Sequence, residues 1–194
     1  MPESRQMGRP RSESARKAIL EATFTLLVER GYDALALEAV ARVAGVGKST
    51  IYRWWQTKAE LAVEAFFEAT ADELKMPQTN DARADFHAQI GALATLLAGT
   101  RGRAFAAMLG GALNDPALAR VIGARWLDPR QRWGRERMAR AAAEGQLKPG
   151  VEPRAALAVL YGPLYTPLLF GGEVPAAEAV QAYLNIACNG IFTD

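Results

Sequence analysis

One cysteine, Cys188, and one histidine, His87, are all that the 194 residues hold of those two types. A disulfide within the chain is therefore excluded, and a multi-ligand metal site lacks its usual donors. A Cys-His or Ser-His-Asp nucleophile would have to rely on His87 alone. Long apolar runs are missing too. No run approaches the length of a membrane span, and Met1 to Ala15 is polar and basic, without the apolar stretch of a signal peptide. Strand-like runs of Val, Ile and Thr are scarce while alanine is abundant, which moves the expectation to an all-α fold. Nor is there much charge of one sign, the formal net charge being +2. These absences predict a soluble, cytoplasmic protein with a reduced cysteine, no membrane partner, no metal, no cofactor and no catalytic residues.

Half of the residues are hydrophobic, ample for a buried core, and the length suits two small domains or one medium one. The charge is unevenly spread. Residues 1–60 hold ten Lys/Arg against seven Asp/Glu, and the remainder thirteen against fourteen, so the basic excess lies in the N-terminal third.

That third contains the most informative stretch, Leu37 to Trp55, LEAVARVAGVGKSTIYRWW. Leu37, Val40, Ala41 and Ala44 recur at i, i+3, i+4 and i+7, an apolar stripe along a two-turn helix. Gly45 enters the left-handed conformation without a Cβ penalty and ends that helix. A second short helix begins near Lys48 or Ser49, with Ile51 and Trp55 facing the same core. Helix, glycine-containing turn and a second helix with a polar outer face are the helix-turn-helix signature, whose second helix is the candidate reader of DNA.

The same residues include Gly47-Lys48-Ser49-Thr50, the tail of a phosphate-binding loop. The full pattern requires a glycine five residues before Gly47, where Arg42 stands, and a strand leading into the loop, where the spacing is helical.

Residues 1–13 form a polar, basic arm, in which Arg9 and Arg11 could enter a narrow A·T-rich minor groove or remain a solvated tail. A first helix is predicted over 14–30 and stops at Gly31. Thr57-Lys58-Ala59-Glu60 is a capping box that starts a fourth helix running to about Leu74, with Glu64 outward. Lys58 in its first turn opposes the helix dipole, which an adjacent phosphate would relieve; alternatively it is a solvent-exposed lysine.

Taken together, Ile19-Leu20, Ala22, Gly31-Tyr32-Asp33, Val40-Ala41, Ala44-Gly45-Val46, Lys48, Thr50-Ile51-Tyr52, Lys58 and Leu61 resemble the N-terminal domain of the TetR family of transcriptional regulators. The resemblance implies that Lys48, Ser49 and Thr50 open the recognition helix at base edges and phosphates. It implies that Tyr52 and Lys58 bind phosphates, that Arg53 and Trp54 tune sequence choice, and that Trp55 is core. Ala36 departs from the pattern, since the family commonly caps its second helix there with Ser or Thr. That cap is weaker by roughly 1 kcal/mol.

Beyond the loop at 76–81, helices are predicted at about 82–98, 102–112, 116–127, 129–144, 153–170 and 175–190. Asp115-Pro116 and Asp128-Pro129 each set an N-cap residue before a proline in the first turn. The last two helices are rich in small residues. Ala155, Val159, Gly162, Ala177, Val180 and Leu184 are the candidate interface of a homodimer, which in the family is a four-helix bundle of two subunits. Phe86, Phe105, Met108, Trp126, Tyr161 and Tyr165 are the candidate pocket for a largely apolar effector, or else core. Pro163 and Pro167 fall inside the penultimate helix, where they remove backbone hydrogen bonds.

The expected architecture is all-α: an arm (1–13), a helix-turn-helix domain (14–57), a connecting helix (58–75) and an effector-binding and dimerisation bundle (82–194). The expected function is transcriptional regulation on double-stranded DNA, as a repressor released from a near-palindromic operator by a small molecule. Two alternatives stand beside it: nucleotide binding through Gly47-Lys48-Ser49, and an effector-independent protein that coats DNA.

Overall fold

The first helix, α1 (Arg9–Arg30), buries Ile19, Leu20, Ala22, Leu26 and Leu27 along one stripe in a computed structural model that describes residues 9–70 and 75–193. Thr23, also buried, satisfies its hydroxyl on the Ile19 carbonyl one turn back. The helix starts five residues earlier than the sequence suggests, so residues 9–13 of the expected arm are helical. Residues 1–8 and the side chains of Arg9 and Arg11 lie outside the described residues.

Two short helices follow, α2 (Leu37–Val43) and α3 (Lys48–Tyr52). Gly45 joins them at φ 66°, and the Val46 N–H reaches back to the Ala41 carbonyl, so the turn closes the end of α2 as only a residue at ease with positive φ allows. Ala36 occupies the α2 N-cap in extended conformation and makes no side-chain cap. Ala36→Ser supplies the missing acceptor at an exposed site. We expect it to stabilise the protein by about 1 kcal/mol, a rise of about 2–4 °C in Tm for a chain of this size. An unchanged melting curve would refute the reading of that helix start.

Helix α4 (Lys58–Glu68) opens on the predicted capping box, with Thr57 and Glu60 each satisfying the other's backbone N–H. Its expected last turn, 71–74, lies outside the described residues. Nearly every apolar side chain of α4 is buried, because the helix packs on α1 on one side and on the C-terminal bundle on the other.

That bundle comprises α5 (Ala82–Ala98), α6 (Thr100–Ala112), α7 (Pro116–Ile122), α8 (Asp128–Ala143), α9 (Pro153–Leu169) and α10 (Ala177–Ile191). Asp115 caps α7 as predicted, accepting from the Ala117 and Leu118 N–H groups. Asp128 does not cap α8. A π-helical turn, Gly123–Leu127, runs without a break from α7 into α8, and the Asp128 N–H bonds to the Gly123 carbonyl five residues back. The wider turn accommodates Pro129, which has no N–H to give, and turns Trp126 into the core. Pro163 and Pro167 are both retained inside α9. Among the described residues the nearest approach to a sheet is one isolated bridge, Leu147 to Phe192.

The buried side chains form one continuous cluster from α1 to α10. Phe66 of α4 meets Phe105 and Trp126 at ring-centroid distances of 5.4 and 5.2 Å, so the helix-turn-helix is bonded by packing to the bundle behind it.

Candidate nucleic-acid interface and ligand groove

Helix α3 is held by its inward residues and free at its outward ones. Ile51 is fully buried and Trp55, just beyond the helix, is nearly so. Lys48, Ser49, Tyr52, Arg53 and Trp54 face solvent, with Tyr52 54% exposed, and Thr50 is half-buried. A phenol on a helix of five residues gains nothing in the fold from that exposure, and its ring and hydroxyl are presented to whatever docks there.

Lys48 Nζ lies 2.7 Å from Glu38 Oε1 of α2. The pair holds the Glu38 carboxyl below the usual carboxylate range and the Lys48 ammonium above its own, chiefly through their mutual hydrogen bond. Both groups are exposed, so the pair is worth little in water and gives way readily to a stronger anion. Gly47-Lys48-Ser49 is preceded by a helix rather than a strand, so the geometry of a nucleotide-cradling loop is not formed.

Lys58 matches neither expectation in full. It is half-buried, its Nζ donates to the Tyr32 carbonyl at 3.0 Å, and it sits 4.2 Å over the Tyr32 ring. Tyr32 in turn donates its hydroxyl to Asp115 Oδ2 at 2.7 Å, and burial together with that carboxylate pushes the phenol well above its ordinary value. Asp115 is the N-cap of α7, so this chain of contacts ties the start of α4 to the bundle.

A second tie crosses the same junction. Glu64 is half-buried rather than outward: it pairs with Arg16 of α1, and Arg125 of the π-helical turn lies 3.6 Å away. Burial works against the Glu64 carboxylate, but Arg16, Trp55 and Arg125 outweigh it and hold the carboxyl below its usual range. Spacing along one helix carries no sign of these partners, which come from three other segments.

The six aromatic and sulfur side chains proposed as a pocket do not stay together. Phe86, Phe105, Met108 and Trp126 are at most 1% exposed and fill core, Phe105 and Trp126 packing with centroids 4.5 Å apart. They are wholly enclosed because they sit on the inward faces of α5, α6 and the π-helical turn. Tyr161 and Tyr165 do line a groove of about 750 Å³ between α8 and α9. It also takes in Leu157 and Arg130, an arginine that sequence reasoning missed although it lies one turn after Trp126 on a single helical path.

Of the candidate interface residues, Val180 and Leu184 are corrected to core, at 2% and 0% exposure. They belong to the stripe that docks α10 on its own protomer. Ala155, Val159 and Ala177 are exposed and Gly162 half-buried. The free apolar side of α10 is instead Ala179, Ala182, Ile186 and Gly190, and Ile186 is 76% exposed. Phe170, past the end of α9, is 85% exposed.

Among the described residues no three His, Cys, Asp or Glu side chains gather as a metal site, and no helix is long and apolar enough to cross a membrane.

Residues 19–65 match the family model of bacterial regulatory proteins, tetR family, and residues 76–186 that of the tetracyclin repressor-like C-terminal domain. An uncharacterised HTH-type transcriptional regulator of Bacillus subtilis, YdeS, is 31% identical over 184 residues, 95% of this chain and 93% of its own. The DNA-binding transcriptional repressor TetR of Mycobacteroides abscessus is 36% identical over 86 residues, 43% of this chain and 44% of its own. The crystal structure of the TetR family transcription regulator SCO0332 superposes with a TM-score of 0.70 at 33% identity, covering 91% of this chain and 97% of that one.

Proposed function

The chain belongs to the TetR family of bacterial transcriptional regulators, and from that premise we propose that it is a homodimeric repressor whose α3 helices read a near-palindromic operator. The observation that carries the reading is the outward face of α3, Lys48, Ser49, Tyr52, Arg53 and Trp54, on a helix pinned from behind by Ile51 and Trp55. Lys48 and Ser49 stand where backbone N–H groups and short side chains reach phosphates and base edges, with Thr50 beside them. Tyr52 adds a hydroxyl one turn later. Lys58 acts less as a free phosphate ligand than as a brace that sets Tyr32 and the angle of α4. Arg9 and Arg11 remain candidate minor-groove contacts.

One short helix reads few base pairs, so two-fold symmetry is what makes a specific site. The outward faces of α9 and α10, with Ala155, Val159 and Gly162 on one and Ala182 and Ile186 on the other, are the patch we assign to the partner subunit. Residues 14–57 then serve as the reading unit, 58–75 as the connecting segment and 82–194 as the effector and dimer unit, in a cytoplasmic protein. A ligand in the α8–α9 groove would act through the π-helical turn, since Arg125 meets Glu64 of α4 and Trp126 packs on Phe66. A coupling of roughly 1–3 kcal/mol suffices to switch operator occupancy. Repression is the role of the mycobacterial relative and needs only steric occupancy of the operator.

Selection of duplexes from a random pool by the purified protein tests the reading: an inverted repeat bound by a dimer supports it, and binding indifferent to sequence sinks it. Glu38 offers a sharper check. Its carboxylate faces the DNA side and competes for Lys48, so Glu38→Gln is expected to tighten operator binding by a few-fold at low salt and less at high salt. Weaker binding by that variant would place Lys48 away from the phosphates.

A further inference from the structure

Arg130 is a buried cation without an anion among the described residues. It is 7% exposed, its guanidinium stacks 3.6 Å over the Trp126 ring, one terminal nitrogen donates to the Trp126 carbonyl at 2.9 Å, and its Nε has no partner. Burying a guanidinium with no carboxylate beside it is costly, and such a group persists where something else neutralises it. Desolvation lowers its affinity for the proton, consistent with that cost. Arg130 lines the groove between α8 and α9 together with Tyr161 and Tyr165.

Cations outnumber carboxylates three to one along the groove. Arg135 and Arg154 stand at its exposed edge, and its one carboxylate, Glu152, is already occupied in capping α9 through the Arg154 and Ala155 N–H groups. Between these lies apolar wall, Leu127, Leu157 and Ala158. Tyr165 accepts a hydrogen bond from Trp126 Nε1 at 3.0 Å, which leaves its own proton to donate beside Arg130, whereas Tyr161 is spent on Gln89. At about 750 Å³ the space suits a drug-sized molecule.

We infer that the groove binds a monocarboxylate with an apolar body, its head held by Arg130 and the Tyr165 hydroxyl and its body laid along Leu127 and Leu157. A planar guanidinium takes a carboxylate in two parallel hydrogen bonds, and the unpartnered Nε, closed to solvent as the side chain stands, would supply one of them once the guanidinium turns toward the groove. The groove adjoins the proposed dimer face. At about 100° per residue, Leu157 and Tyr161 lie about 100° or more round α9 from Ala155, Val159 and Gly162, whereas Ala158 and Tyr165 lie only about 40° and about 60° from Gly162. The inference deepens the effector reading above, and its regulatory meaning rests on that reading; the binding itself does not.

The test is calorimetric titration of the full chain with decanoate, its neutral counterpart decanol and its cationic counterpart decylamine, repeated on Arg130→Gln and on the rim variant Arg135→Gln. Decanoate is expected to bind at least about tenfold more tightly than decanol, as loss of a charge-assisted pair implies. Arg130→Gln should erase that preference and Arg135→Gln should largely keep it. Should Arg130→Gln fail to fold, Arg130→Lys keeps the charge without the planar fork and should reduce the preference. Equal binding of decanoate and decanol, or a preference that survives loss of Arg130, overturns the assignment. Operator titration with and without decanoate then separates the two claims. A carboxylate that binds yet leaves DNA affinity unchanged upholds the ligand class and defeats the regulatory reading, and an operator bound by a protein blind to carboxylates defeats the ligand class and leaves operator recognition standing.

Discussion

Asp85→Ala lowers the melting temperature by about 10 °C, because removing one partner of a buried ion pair costs about 3–5 kcal/mol and each kcal/mol moves a chain of this size by about 2–4 °C. Asp85 of α5 and Arg137 of α8 are both buried, with Oδ2 and Nε 2.5 Å apart. Thr79 adds its backbone N–H and hydroxyl to the same carboxylate, and the Arg137 guanidinium reaches the Thr79 carbonyl. The cluster therefore fastens the loop before α5 to α8, and Trp133 assists by donating to the Pro77 carbonyl. Burial pushes the Asp85 carboxyl up, but Arg137 and Thr79 outweigh it and hold the group below its usual range. A carboxyl depressed in the fold contributes stability that is complete above its unfolded value, about 4, and is lost as pH falls through the folded value. The gap between wild type and Asp85→Ala should accordingly be constant near neutrality and close below about pH 4. Asp85→Leu combined with Arg137→Met leaves no orphaned charge and should recover most of the loss. A Tm within 2 °C of wild type for Asp85→Ala alone, measured by circular dichroism, would remove the pair from the account of stability; that margin is about 1 kcal/mol or less.

That pair could not be read from the sequence, and the reason applies to most of what was missed. Periodicity and capping chemistry are local, so the helix-turn-helix, the Thr57–Glu60 box, the Asp115 cap and the bundle helices were legible from neighbours in the chain. Ion pairs across 52 residues, such as Asp85 with Arg137, or across 48, such as Arg16 with Glu64, depend on which helix faces meet. The same limit explains Val180 and Leu184. A stripe of small and branched residues says that a helix packs, and only the fold decides whether it packs on its own protomer or on another. Asp128 failed for a different reason: an Asp-Pro pair starts a helix after a loop, and here the chain before it is already helical. The aromatic residues proposed as a pocket were correctly placed in the bundle, yet ring content alone does not separate a wall from a core. Arg130 carried a local signal, an arginine four residues after a tryptophan on one helical path, and a cation stacked on an indole is what that spacing builds.

At the other end of the molecule, Lys48→Ala should cost the operator complex about two orders of magnitude in affinity. A hydrogen bond to a charged group contributes about 1.5–3 kcal/mol, and in a two-fold complex the substitution is made twice. Against that stands the loss of two exposed Lys48–Glu38 pairs from the free protein, each worth about 0–1 kcal/mol, which leaves roughly hundredfold. The fold should be untouched, since Lys48 is exposed and its one partner is the equally exposed Glu38. Salt dependence distinguishes this account from its rivals. Each lysine on a phosphate contributes about one to the slope of log affinity against log salt, so Lys48→Ala should lower the slope by about two if a dimer binds. A fall of about one would mean that a single protomer carries the contact. An unchanged slope with weakened binding would move Lys48 from phosphate to base edge, and the loss would then fall on particular operator positions rather than on all sequences alike. Unchanged affinity at every salt would dismiss α3 as the reading helix, because no other cation on it stands so near the helix start where phosphates approach.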